Sequence, residues 1–360
     1  MLKYILKRLG LAILILVGVS VIIYVLIRIK PGLDFIEAKY FPQLQQDKDG
    51  SVREMVDRQR EIYGLTSPLI EGYLKWGSNI LRGEWGDSFI FSVPTGRIEY
   101  LVDALGNPVL DANGNQLTRE ISTKNVISII AAKSGISFII AFIATILQFV
   151  IAIPLGIISA TKQYGIVDYT VTVLAMMGIS LPSFFFGALL LRIFSIQLGW
   201  FPYAGLNDPN SGLPTLIDNL HHLVLPLSVL VILSIGGLMR YTRTNMLEVL
   251  NADYIRTARA KGLSEHDVIY KHAFRNTMIP LVTILAGILP GLFGGAMITE
   301  TIFSIDGIGK TAYKAVTQGD IPFVMAYNLF LSFLTIIGTL LSDIMYAVVD
   351  PRVKLTGGGK

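Results

Sequence analysis

Gly135-Ile136-Ser137-Phe138-Ile139-Ile140-Ala141-Phe142-Ile143-Ala144-Thr145-Ile146-Leu147-Gln148-Phe149-Val150-Ile151-Ala152-Ile153-Pro154-Leu155-Gly156-Ile157-Ile158-Ser159-Ala160 contains no charged side chain. A bilayer core of about 30 Å is crossed by about 20 apolar residues in a helix, so this stretch predicts a transmembrane span. Five others resemble it in composition: residues 9–27, 169–191, and roughly 223–239, 278–298 and 323–349, with Asp343 the one charge inside any of them. The six runs predict an all-α integral membrane protein. The whole chain agrees, since 52% of its 360 residues are hydrophobic and only 16% charged, against about 25% in soluble domains. A soluble protein so composed would expose wide apolar patches.

Composition also removes chemistry. With no cysteine, disulfides, thiolate metal sites and cysteine nucleophiles are excluded. The four histidines, His221, His222, His266 and His272, leave little for a metal centre, and a net charge of +4 gives no reason to expect nucleic acid. The first run follows Lys3, Lys7 and Arg8 as a secretory signal would. It is longer than a signal core and meets no small-residue cleavage site at Ile27-Arg28-Ile29-Lys30-Pro31, so a retained helix is expected.

Lys and Arg in short loops set the orientation. Lys3, Lys7 and Arg8, then Lys162, then seven basic residues from Arg240 to Arg275, then Arg352, Lys354 and Lys360 fall on one side. Arg192, Lys310 and Lys314 fall on the other. Both termini and the Arg-rich loop are therefore expected in the cytoplasm. The organisation expected is a first segment and helix over 1–30, an extracytoplasmic loop region over 31–134, and a core over 135–360 that contains a cytoplasmic loop at 247–276.

In the large outer loop, Arg58-Gln59-Arg60-Glu61-Ile62-Tyr63-Gly64-Leu65 reads as a helix stopped by glycine. Pro68 opens the next helix, with Leu69, Tyr73, Leu74, Ile80 and Leu81 at helical spacing. Leu81-Arg82-Gly83-Glu84-Trp85-Gly86-Asp87-Ser88 reads as a turn at the membrane surface. Gly106-Asn107-Pro108 and Asp111-Ala112-Asn113-Gly114-Asn115 predict a hairpin; the latter lacks the spacing and closing glutamate of a calcium loop.

The inner loop carries the most information. Asn251 is placed to cap a helix with Asp253 in its first turn, Lys261 lies in the last turn, and Gly262 ends it. Ser264 opens a second helix, with Asp267 three positions on. The product is a helix–glycine–helix elbow too polar for lipid, whose small Ala258 and Ala260 would admit a protein partner. On physical grounds it serves either such a partner or anionic lipid.

Asp253-Tyr254-Ile255-Arg256-Thr257-Ala258-Arg259-Ala260-Lys261-Gly262-Leu263 resembles the signature loop of binding-protein-dependent ABC importer permeases, in their dipeptide/oligopeptide branch. Tyr4-Ile5-Leu6-Lys7-Arg8-Leu9, Tyr63-Gly64-Leu65, the Leu81–Ser88 segment, Gly178-Ile179-Ser180-Leu181-Pro182-Ser183-Phe184, Leu198-Gly199-Trp200-Phe201-Pro202, Glu300-Thr301-Ile302-Phe303 and Asp350-Pro351-Arg352 follow that branch in order, and point to its B-type subunit. The class signature opens acidic-Ala-Ala where this chain has Arg256, Thr257 and Ala258, and its later Ile-x-Leu-Pro falls on His272, Ala273, Phe274 and Arg275. Residues 96–123 look inserted.

The resemblance implies six transmembrane helices of the type I importer kind in a bacterial or archaeal cell membrane. It implies a non-catalytic subunit that forms half of a path for peptides beside a second, homologous permease. An extracytoplasmic solute-binding protein would deliver cargo, and two ATP-binding subunits, which alone hold ATP and Mg, would grip the loop from Asp253 to Ser264. Relatives of the branch also carry nickel, opines or oligosaccharides.

Helix breakers mark where such a path could open: Pro154 and Gly156; Gly178, Pro182 and Gly187; then Gly287, Pro290, Gly291, Gly294 and Gly295. Each serves packing or bending, and their density makes the fifth run, at Pro290, Gly291, Gly294 and Gly295, the expected gate. The one near match to a phosphate-cradling loop, Gly309-Lys310-Thr311, has Ser304 where the first glycine is needed. A secondary transporter would show paired intramembrane charges, and only Asp343 is found. An intramembrane hydrolase would need a flanked nucleophile, which Ser180 is not.

Overall fold

The computed structural model describes residues 2–29, 32–101, 109, 116–288 and 291–349. The two turn signals at 106–108 and 111–115, Pro290 and the closing 350–352 motif lie outside the described residues. Helix α1 (Leu2–Arg28) leads to α2 (Phe35–Leu44), α3 (Ser51–Ile62) and α4 (Leu69–Leu81), then to strands β1 (Val93–Tyr100) and β2 (Thr118–Thr123). The rest is helical: α5 (Val126–Thr161), α6 (Ile166–Ser180), α7 (Ser183–Leu190), α8 (Thr215–Leu250), α9 (Asp253–Ala260), α10 (Glu265–Asp267), α11 (Arg275–Ile288), α12 (Gly291–Gly294), α13 (Met297–Ile302), α14 (Ile308–Gln318) and α15 (Ile321–Val349). Two wide, π-helical stretches, Leu191–Gln197 and Val268–Phe274, prolong α7 and α10.

Four helices, α1, α5, α8 and α15, are long and apolar enough to cross a bilayer. The count becomes five if α6 and α7 with its extension, bent by 102°, form one broken span. The break falls at Leu181 and Pro182, both extended, because proline drives the residue before it out of the α region. The described helical residues of the fifth expected run belong to α11, α12 and α13, none of which alone spans. Six uninterrupted spans are thus not found among the described residues. Helices α5 and α8 also outrun the expected 135–160 and 223–239. At 36 residues each they extend about 54 Å, and both pass through an internal proline, Pro154 and Pro226.

The chain divides into two compact units. The unit drawn from residues 13–133 and 312–332 is organised around buried Tyr24, Ile36, Val56, Tyr63, Leu65, Trp76, Met325 and Leu329. Gly64 does stop α3, at φ +61°, and a Cβ there would lie 2.2 Å from the Gly72 carbonyl oxygen, so two helices meet backbone to backbone. The inward face of α4 is Gly72 and Trp76; Leu69, Leu74 and Leu81 remain exposed. Asp34 caps α2 and accepts from Arg60 Nε at 2.7 Å. Asp320, fully buried, accepts from Ser88 Oγ and the Phe89 and Phe323 amides, which pins the Leu81–Ser88 turn. The expected hairpin is present as β1 and β2, antiparallel, with Val93 opposite Thr123 and Tyr100 opposite Thr118.

The unit drawn from residues 1–12, 134–311 and 333–360 holds α5, α6 and α8 at close quarters. A Cβ on Gly156 would lie 2.7 Å from Thr242 Cβ, one on Gly178 2.6 Å from the Ile232 oxygen, and one on Gly236 2.4 Å from the Ala175 oxygen. Gly156 and Gly178 are therefore packing sites, not breaks. Asp343 pairs with Arg8 at 3.2 Å. His221 Nε2 meets the Trp200 oxygen at 2.8 Å, and His222 Nδ1 the Asp218 oxygen at 2.9 Å, so each histidine has a local partner.

The Gly64 contact predicts a graded loss of stability. Gly64→Ala combines a strained φ with a backbone clash, and should cost about 1–3 kcal/mol or more. Gly83, at φ +86°, has open space around it, so Gly83→Ala should cost less. Thermal unfolding of the detergent-purified variants checks the order, and equal melting temperatures would refute the contact.

Candidate functional site

The elbow begins where α8 ends. Asn251 turns the chain out of α8, its Nδ2 donating to the Leu247 oxygen at 2.9 Å. The cap of α9 is Ala252 instead, without a side-chain hydrogen bond. This corrects the expectation for Asn251: its amide is engaged one turn back and cannot face forward. Lys261 closes α9 and Gly262 follows at φ +78°, a conformation that only glycine adopts without strain. Ser264 then caps α10, its Oγ accepting from the Asp267 amide at 3.2 Å and donating to Asp267 Oδ2 at 3.0 Å.

One face of the elbow is apolar and hidden. Ile255, Ala258, Val268 and Ala273 form a cluster with Ile157 and Ala160 from the end of α5 and Met246 from the end of α8. The wide turns of the π-helical stretch Val268–Phe274 allow both Val268 and Ala273, five residues apart, to reach it; each is fully buried. Ala258 is only 6% exposed, so it faces this cluster and is not open to a partner, as its small size had suggested. Ala260 is exposed.

The opposite face carries Asp253, Tyr254, Arg256, Thr257, Arg259, Ala260, Lys261, Gly262, Leu263 and Ser264, all exposed; Ile255 is the other expected coupling residue that turns inward. Arg259 Nε reaches Glu265 Oε1 at 2.8 Å across the glycine turn, and Lys271 Nζ reaches Asp267 Oδ1 at 2.6 Å. The Lys271 ammonium and the Ser264 hydroxyl hold the Asp267 carboxyl below the usual carboxylate range. Exposed pairs of this kind add little stability; the Arg259–Glu265 pair spans the glycine turn. Tyr254 is half-exposed, and partial burial raises the pKa of its phenol.

The other expected site divides. Gly291 opens α12 with nothing near the place of a Cβ, whereas Gly295, at φ +73°, would put one 2.5 Å from the Gly309 nitrogen and 2.8 Å from Glu300 Oε1. Gly294 closes α12. Gly295 thus belongs to a tight knot around buried Glu300, whose carboxylate accepts from Ser137 Oγ at 2.8 Å and from the Ala296 and Lys310 amides at 2.9 Å. Gly307 and Gly309 close on the same carboxylate. The sequence offered one signal for this knot, an acid beside an apolar run, but not its partner Ser137, 163 positions away.

Comparison with known proteins gives the family. Residues 152–355 match the family described as binding-protein-dependent transport system inner membrane component. The oligopeptide transport system permease protein AppB of Bacillus subtilis (strain 168) is 35% identical over 356 residues, covering 98% of this chain and all of AppB. A protein of Brucella suis biovar 1 named as a peptide permease is also 35% identical, over 99% of this chain and all of its own. In fold, an inward-facing structure of the MetNI methionine ABC transporter aligns with TM-score 0.50 and 15% identity, over 63% of this chain and 99% of that one. The chain belongs to the family of binding-protein-dependent transport system inner membrane components, the membrane-spanning permease subunits of ABC importers.

Proposed function

We propose that this chain is one of two homologous permease subunits of an ATP-driven peptide importer, and that its elbow from Asp253 to Ser264 lies in the cytoplasm and docks on separate ATP-binding subunits. The names of its relatives AppB and the Brucella suis protein support peptide cargo. The observation that carries the docking role is the two-sidedness of the elbow. Its apolar face is spent on the ends of α5 and α8, while its polar face, turned by Gly262, is exposed and carries ion pairs within the elbow.

A load on that polar face would pass through the apolar cluster into α5 and α8. The partner ATPases would hold ATP and Mg and do the hydrolysis; an extracytoplasmic binding protein would present the peptide. The permease supplies a protein-lined route, which a polar cargo requires because each unsatisfied polar group costs several kcal/mol in hydrocarbon. The interrupted stretch α11–α12–α13 is the segment of the route that opens, with its free pivot at Gly291 and its fixed end at the Glu300 knot.

Proline at 262 cannot reach a positive φ, so Gly262→Pro should abolish uptake and lower recovery of the ATPase subunits with the membrane complex. Unaltered co-purification and uptake would count against docking. The two alanines separate docking from folding: Ala260→Trp should leave the melting temperature close to wild type and reduce ATPase recovery about tenfold, equal to about 1.4 kcal/mol. Ala258→Trp should destabilise the permease itself. If the two behave alike, the assigned faces are wrong.

The same logic applies to the gate. A Cβ at Gly291 would meet no described atom within 4 Å, and Gly291→Leu should yield an assembled complex that takes up peptide slowly, read as uptake into proteoliposomes. Wild-type uptake would remove Gly291 from the route.

A further inference from the structure

Asp168 carries a charge that the docking reading does not use. It lies in the first turn of α6, 3% exposed. Its carboxylate receives Arg243 Nε and Nη2, each at 2.8 Å, the Ser159 hydroxyl, and the Tyr164 amide at 2.9 Å. These donors come from α8, from the end of α5, and from the turn between α5 and α6. Tyr164 sits at φ +63°, a conformation non-glycine residues adopt when surrounding contacts impose it.

The position of the pair matters more than its burial. Arg243 precedes Met246 by one helical turn, and Ser159 lies between Ile157 and Ala160; Met246, Ile157 and Ala160 are the residues on which the elbow rests. On the same helices, Gly156, Gly178 and Gly236 mark close approaches of α5 and α6 to α8. The pair is part-buried, with the Arg243 side chain 24% and the Asp168 side chain 4% exposed, and such a pair is weak evidence of a stabilising role. A bidentate fork does supply fixed register, because arginine and carboxylate are both planar and meet in one orientation.

We propose that Asp168 and Arg243 are positioning residues for energy coupling: their bidentate pair joins α5, α6 and α8 into one lever, so that displacement of the elbow moves all three together. The proposal rests on the docking reading. Without the pair, a load on the elbow would reach the ends of α5 and α8 and be lost as motion between them.

The test uses the complete importer, with both permeases, the ATPase subunits and the binding protein, in proteoliposomes. Arg243→Lys keeps the charge and loses the fork. The double variant Asp168→Leu with Arg243→Met leaves no unpaired buried charge, so it remains informative where the single change impairs folding. At least the double variant should assemble with the ATPase and hydrolyse ATP at close to the wild-type rate, while peptide taken up per ATP falls about fivefold or more, the low end of ordinary coupling effects. An unchanged ratio in the double variant, or loss of the assembled complex in both variants, overturns the proposal. Failure of the docking reading is seen separately, as a Gly262→Pro complex that still couples uptake to hydrolysis.

Discussion

The structure depends on a small apolar contact between the elbow and the ends of two long helices. Ile255, Ala258, Val268 and Ala273 bury themselves against Ile157, Ala160 and Met246, each large apolar side chain contributing about 1.5–3 kcal/mol. The elbow is otherwise polar, too short to fold alone, and held by ion pairs that water weakens. Remove the apolar contact and α9 and α10 lose their reason to be helical. With it, a surface of charge and small side chains is presented at a fixed angle, and anything bound there acts on the bodies of α5 and α8.

Elsewhere the constraint is the high cost of unsatisfied polar groups in a lipid environment. Of the four buried carboxylates among the described residues, Asp168, Glu300 and Asp320 each accept from at least one backbone amide and from a serine hydroxyl, and Asp168 also receives an arginine. Each marks a place where chain segments are tied together. Glycine serves the same end by different means: at Gly64, Gly156, Gly178 and Gly236 it lets neighbouring segments approach closely, and between membrane helices such close packing matters because the hydrophobic effect there provides little.

Much of this was legible in the residues. Charge-free runs gave the long helices, Gly64 and Gly262 gave two helix ends, and Ser264 gave a cap, because these features are local and each has one cheap physical solution. The lengths of α5 and α8 were not legible: their ends are amphipathic and continue beyond the apolar run. The interruptions at Leu181–Pro182 and at Gly295–Ala296 were visible as breakers or small residues, but nothing local distinguished a break there from the unbroken passage through Pro154. Ala258 and Ala260 have the same side chain two positions apart, and only the fold assigns one inward and one outward. The charge pairings were least accessible, since Asp168 meets Arg243 across 75 positions and Ser137 meets Glu300 across 163.

The central claim, that the outward face of the elbow is an ATPase-binding surface inside the cell, has a direct test, helped by the absence of any native cysteine. Single cysteines at Ala260 and Leu263 in the full importer would be treated with a short thiol-reactive cross-linker in sealed cells. The account predicts adducts with an ATP-binding subunit at both positions and protection of both from a membrane-impermeant thiol reagent added outside. Labelling from outside, or adducts with the binding protein in place of the ATPase, would contradict it.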